Sequence, residues 1–179
     1  MTFVVWKTAE KREDTRALQG FTCALKQPPR GREYSWELEV QKYFRKAVWA
    51  DTSESRHLDQ RFRIAIDGEG VAAAYTHARL ADQPAQFVVH ADEQSRLLVM
   101  LGVAVRYRHE GGKFADEVLL DALYDILESE PYSANVNVLA KVHMRNIPSQ
   151  RMLTRAGFQQ HTTGTSTRPL GWWSLTLER

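Results

Sequence analysis

The sequence predicts an α/β fold of the α+β kind, a mixed sheet with helices on its faces. Three observations predict it. Residues 97–105 form a nine-residue apolar run without a charge, as a central strand covered on both faces requires. Residues 61–66 alternate polar and apolar ahead of a turn rich in Asp and Gly, as a half-buried hairpin does. Between and after these lie stretches of helical period.

The elements follow in order. Phe3-Val4-Val5-Trp6 reads as a short first strand, with a polar helix from about Glu10 to Leu18. Lys26-Gln27-Pro28-Pro29 breaks the chain, since proline fixes φ and lacks a donor. From 33 to 49, Trp36, Val40, Tyr43 and Ala47 recur at steps of four, three and four, the apolar face of a helix. The hairpin pairs 61–66 with 71–80 across Asp67-Gly68-Glu69-Gly70. After the apolar strand, a loop Arg106-Tyr107-Arg108-His109-Glu110-Gly111-Gly112 opens a helix over 113–129, ended by Glu130-Pro131. A strand at 136–144, a helix from Pro148 to Ala156 capped by Gly157, and strands from Phe158 and at 172–177 complete the chain.

A length of 179 residues fits one domain over 1–179. With 43% hydrophobic and 26% charged residues the composition is that of a globular protein. The longest apolar runs fall well short of a membrane span. The 24 basic and 22 acidic residues balance closely, which speaks against nucleic acid as the main partner. Cys23 is the sole cysteine and the six histidines show no ligand spacing, so neither a disulfide nor a metal site is expected. A reducing, cytoplasmic setting fits.

Glycines opening a helix present backbone N–H groups to an anion, and Arg106, Arg108 and Lys113 surround that loop. Downstream, Asn146-Ile147-Pro148-Ser149 follows a strand, and its helix closes in Gly157-Phe158. On these two motifs the chain resembles the GNAT superfamily of acetyl-CoA-dependent N-acetyltransferases. There a central strand ends near a Val, an Arg follows five residues later, and an R-x-x-G-x-G/A loop grips the pyrophosphate; Val103, Arg108 and Gly111 hold that spacing. The resemblance is clear over residues 60–179 and rests on element order before that. Lys113 stands where the last Gly or Ala is expected, and Leu153 where many members carry a proton-donating Tyr.

The resemblance implies a mostly antiparallel sheet of six or seven strands, splayed at the cofactor site. It implies acetyl-CoA as co-substrate, a primary amine as acceptor and direct attack. Val103, Val105, Arg108, His109, Glu110, Gly111, Gly112, Lys113, Phe114, Asn146 and Ser149 would hold the cofactor, with the Val103 amide facing the thioester oxygen. The amine needs a base; Glu69, His77, Glu110 and His143 are candidates. Ser149, Tyr107 or a water would stand in for the missing acid. A homodimer is common in the family. Two other readings follow: a catalytically impaired acyl-CoA-binding regulatory module, and a toxin-type acetyltransferase acting on aminoacyl-tRNA. For the last, Phe21-Thr22-Cys23 is similar to an F-x-C of such members, while the balanced charge opposes it.

Overall fold

The computed structural model describes residues 4–25, 36–51, 58–80, 93–108 and 111–179. His109, Glu110, Phe3 and the 26–32 breaker lie outside the described residues. Among the described residues seven strands form one mixed sheet in the order β1-β2-β3-β4-β5-β7-β6. They are β1 (Val5–Thr8), β2 (Leu58–Asp67), β3 (Gly70–Arg79), β4 (Gln94–Val103), β5 (Asn135–His143), β6 (Gln159–Gln160) and β7 (Leu170–Glu178). Of these seven strands, β4 and β5 run parallel and every other neighbouring pair is antiparallel.

The helices are α1 (Lys11–Gly20), α2 (Trp36–Lys42), α3 (Val48–Asp51), α4 (Lys113–Glu128) and α5 (Ile147–Arg155). A π-helical turn, Tyr43–Ala47, joins α2 to α3. Alternation along β3 shows that helices cover both faces. Tyr75 and His77 point to α4, bonding Asp121 and Asp125 at 2.7 Å each, while Thr76 between them meets Tyr43 of the π turn. The core fills both layers: Leu18, Phe21, Phe44 and Ile64 on one side, Val118, Leu119, Ile126 and Leu153 on the other, all nearly inaccessible. The expected strand 158–160 is only two residues long, and Phe158 is a buried anchor before it.

The end of the sheet where β4 begins is held by buried charge. Arg96 is wholly buried; its Nε donates to Glu130 (2.8 Å), it pairs with Asp59, and its Nη1 donates to His77 Nδ1 (3.0 Å). Arg79 grips the same Glu130 with two bonds of 2.9 and 2.6 Å. A guanidinium only donates, so His77 Nδ1 must be bare. The ring is therefore the neutral Nε2–H tautomer, donating to Asp125 at 2.7 Å. This corrects His77 as a candidate base: it is fully buried and both nitrogens are already hydrogen-bonded.

Burial above all pulls the His77 pKa down, and the Arg96 charge adds to it against the pull of Asp125. For Asp125, burial is the largest influence and pushes the carboxyl up, but the bond from His77 and the nearby positive charge, Arg63 and Arg61 included, together outweigh it and the net direction is down. For Glu130, burial acts the same way and the bonds from Arg79 and Arg96 outweigh it. All three shifts have one sign for stability. Below a pH of about 6.5 the unfolded histidine gains a proton that folded His77 refuses. Below about pH 4.5 unfolded carboxylates protonate before Asp125 and Glu130 do. Stability is then full above pH 7 and falls continuously on acidification. Urea midpoints measured from pH 7.5 to 4.5 should decrease steadily, and a flat or rising series would contradict this network.

Candidate active site

The other end of β4 is open. β4 pairs with β5 only from Gln94↔Val136 to Leu98↔Ala140. Beyond that point β4 continues to Val103 along β3, and β5 continues to His143 along β7, without pairing each other. Ala104 N donates to Ala72 O of β3 at 2.8 Å. Antiparallel strands alternate their bonding direction, so Gly102 also faces β3. The N–H and C=O of Leu101 and Val103 therefore face the gap left by β5.

Both walls of the gap are built locally. Gly102 exists because the first layer of helices packs directly onto it. A Cβ there would lie 2.9 Å from Val40 Cγ1 and 3.2 Å from the rings of Phe21 and Phe44. The segment after α1 is tied to the end of β4: Val105 N donates to Thr22 O (2.9 Å), and Arg45 of the π turn donates to Phe21 O (2.7 Å) and Thr22 Oγ1 (2.9 Å). Gln41 Oε1 accepts from Cys23 N and Ala24 N. Opposite, Asn146 caps α5 by accepting from Ser149 N at 3.2 Å, with Pro148 in the first turn.

Between the walls lies a cleft of about 440 Å³. It brings together Val103, Arg108, Gly111, Gly112, Asn146 and Ser149 from distant parts of the sequence. Gly112 precedes α4 with φ +85°, Gly111 has φ +64°, and among the described residues no side chain caps this helix. The first backbone N–H groups of α4, which no carbonyl inside the helix can satisfy, so lie at the cleft. Arg155 of α5 braces the same end, holding Asp116 by bonds of 3.1 and 2.6 Å.

The remaining expected residues are placed differently. Val105 is not a strand residue extending the open edge: β4 ends at Val103, and Val105 sits in a 3₁₀ turn with its N–H given to Thr22. The Phe114 side chain is core, 5% exposed and stacked on Tyr107 at 4.1 Å; only its backbone can face an anion. Lys113 opens α4 but does not line the cleft, and Arg106 turns away to Asp67 (2.7 Å). Arg108 lines the cleft with its charge already paired, to Glu37 at 3.0 Å and to the Cys23 carbonyl. Tyr107 lines it too, but its hydroxyl donates to Asp67 at 2.6 Å. Glu69 is exposed in the hairpin turn. His143 ends β5 beside the cleft, stacked on Trp36 at 5.4 Å, and its Nδ1 accepts from Arg145 N at 3.1 Å.

Sequence reasoning did not assign Glu37, Arg151 or Arg155 to the site, although all three line it. The i, i+4 spacing of Arg151 and Arg155 behind Asn146 was the available signal; Glu37 carried none, because its partner is 71 positions away. Cys23 also borders the cleft. Burial pushes its thiol up to about 12, more than Arg108 and Arg45 pull it down, so it is no nucleophile. Among the described residues no three His, Cys, Asp or Glu side chains form a metal site, and no helix is long and apolar enough to cross a membrane.

A mixed sheet that parts between two parallel central strands, with a glycine-opened helix at the parting, defines a class: the chain has the GNAT acetyltransferase fold. A protein from Desulfovibrio desulfuricans assigned to the GNAT family matches with a TM-score of 0.60 at 14% identity, covering 98% of this chain and 99% of that one. The AtaTR structure bound with acetyl-CoA matches at 0.62 and 11%, covering 96% and 92%. The ribosomal-protein-S18-alanine N-acetyltransferase of Escherichia coli matches at 0.53 and 18%, covering 98% and 94%. No protein-family model and no curated protein sequence matches the chain.

Replacing Gly102 tests how the wall is built. Gly102→Ala should cost about 1–3 kcal/mol, the usual penalty of overpacking, read as a lower urea midpoint. An unchanged midpoint would mean that Val40 and the two rings do not press on this position.

Proposed function

We propose that this protein is an acetyl-CoA-dependent N-acetyltransferase in which a primary amine attacks the thioester directly. One observation carries the reading: the unpaired edge of β4 and the uncapped start of α4 open into the same cleft. A pantetheine arm carries amides that can pair with a strand edge, as added β-strands do. A pyrophosphate suits the N-terminus of α4, where the helix dipole and free N–H groups favour an anion. Arg151 and Arg155 add positive charge. The donor set therefore fits the co-substrate.

In this reading the Val103 N–H, aimed into the gap, stabilises the oxyanion formed at the thioester carbon. Ser149 and Asn146 shape the opposite wall, with the Ser149 hydroxyl available to a water or to the departing sulfur. Leu153, 2% exposed, offers no proton. A thiol has a pKa near 8.5, so the thiolate leaves without a dedicated acid. The amine must arrive neutral. The carboxylate of Glu37 is held by Arg108, and His143 Nδ1 is held by Arg145 N–H, so no strong base faces the cleft among the described residues. That favours an α-amino group, with a pKa of about 8, over a lysine side chain near 10.4.

The regulatory-module reading is supported by the same two facts, Leu153 in place of an acid and an Arg108 already neutralised. Acetyl-CoA at about 100 times its Kd should stabilise the chain by about 2.7 kcal/mol, seen as a thermal shift. Arg108→Ala should weaken that binding about tenfold or more, while Arg106→Ala should leave it unchanged. An amine panel read by free CoA should favour peptides with a free α-amine over N-blocked peptides bearing only lysine. No thermal shift would overturn the assignment; a shift without CoA release from any amine would leave the binding module in its place.

A further inference from the structure

A short helix straps the cleft. Trp36, Glu37 and Val40 of α2 all line it. Trp36 stacks on His143, where β5 ends. Glu37 pairs with Arg108, in the turn that follows β4. Val40 lies over Gly102 of β4 itself. Residues 36 and 37, adjacent in sequence, thus reach opposite sides of the gap where β4 and β5 part.

The same helix is tied to the segment after α1. Gln41 Oε1 accepts from Cys23 N at 3.0 Å and Ala24 N at 3.1 Å, and Cys23 Sγ donates to Glu37 O at 3.7 Å. That segment supplies the second partner of Arg108, the Cys23 carbonyl. One packed unit therefore holds both terminal nitrogens of the guanidinium, Nη1 by a carboxylate at 3.0 Å and Nη2 by a carbonyl.

Charge makes this grip exchangeable. Among the described residues that line the cleft, Glu37 is the one acid, against Arg108, Arg151 and Arg155. The acetyl-transfer chemistry gives it no part. The Arg108 and Glu37 side chains are 31% and 23% exposed, and ion pairs this open to solvent are held weakly. A pyrophosphate offers a guanidinium more negative charge than one carboxylate, in a geometry suited to its fork. A carboxylate left beside those phosphates would repel them. Glu37 and an anion at the start of α4 therefore contend for the same cation.

We propose that Glu37 is a competitor built into the cleft: it holds Arg108 until acetyl-CoA arrives, and the pyrophosphate takes Arg108 from it, untying α2 from the β4 side of the gap. This rests on the reading of the cleft as the acetyl-CoA site. Glu37 then regulates affinity for the co-substrate without touching the reacting atoms. It lowers that affinity while keeping the cleft strapped and the Arg108 charge satisfied.

Isothermal titration of the full chain with acetyl-CoA tests this. Glu37→Gln should bind about threefold more tightly or better, the gain from removing one partly exposed competing charge. A residue that merely aligned Arg108 or supported the fold would give weaker binding instead. Glu39→Gln, the same charge change at an exposed position of α2 that does not line the cleft, should stay within about twofold. In an Arg108→Ala background the gain from Glu37→Gln should shrink to about twofold or less, because nothing is left to contend for. Inorganic pyrophosphate, which has no pantetheine arm, should rank the variants in the same order. Unchanged or weaker binding by Glu37→Gln, an equal gain from Glu39→Gln, or an undiminished gain without Arg108 would each overturn the proposal while leaving the acetyl-CoA site in place. Failure of every variant to bind acetyl-CoA would defeat the co-substrate reading, and this proposal with it.

Discussion

Backbone hydrogen bonding along β4 is the constraint on which the rest depends. A central strand ordinarily satisfies its groups on both edges, and buried groups left unpaired are costly. β4 is paired on both edges as far as Leu98 and on one edge thereafter. β5 cannot close the gap, since its last residues stay in register with β7 through His143↔Leu170. The first helical layer, pressed against Gly102, and the Asn146-capped α5 hold the two sides of the wedge. A polar, extended molecule entering there completes a ladder that the chain leaves incomplete.

The two ends of the sheet contrast physically. At the start of β4, Arg96, Arg79, His77, Glu130 and Asp125 satisfy one another in a buried network. Such a network is stable only when complete, and it fixes the strands where they pair on both edges. At the far end the unpaired groups along the β4 edge belong to the backbone and face the cleft. Rigidity at one end lets the other remain parted without the sheet losing its register.

Much of this was legible in the sequence, and the failures have physical causes. The uncharged run 97–105 identified β4, and the order of elements around it predicted the mixed sheet. The two loop motifs named Arg108, Gly111, Gly112, Asn146 and Ser149, which the fold brings to one cleft. Val105 continues an apolar run and so reads as strand, but its N–H is given to Thr22 O and the chain enters a 3₁₀ turn there. Local pattern offers His77 as a candidate base because its partners, 19 and 48 positions away, are invisible to it. Glu37 was hidden for the same reason.

Hydrogen–deuterium exchange at single-residue resolution, with and without acetyl-CoA, tests the central claim most directly. If the open edge of β4 receives the pantetheine arm, the Leu101 and Val103 amides should exchange markedly more slowly in the bound protein, while those of Met100 and Gly102, already facing β3, should change little. Saturating acetyl-CoA that leaves Leu101 and Val103 exchanging at their unbound rates would contradict the account.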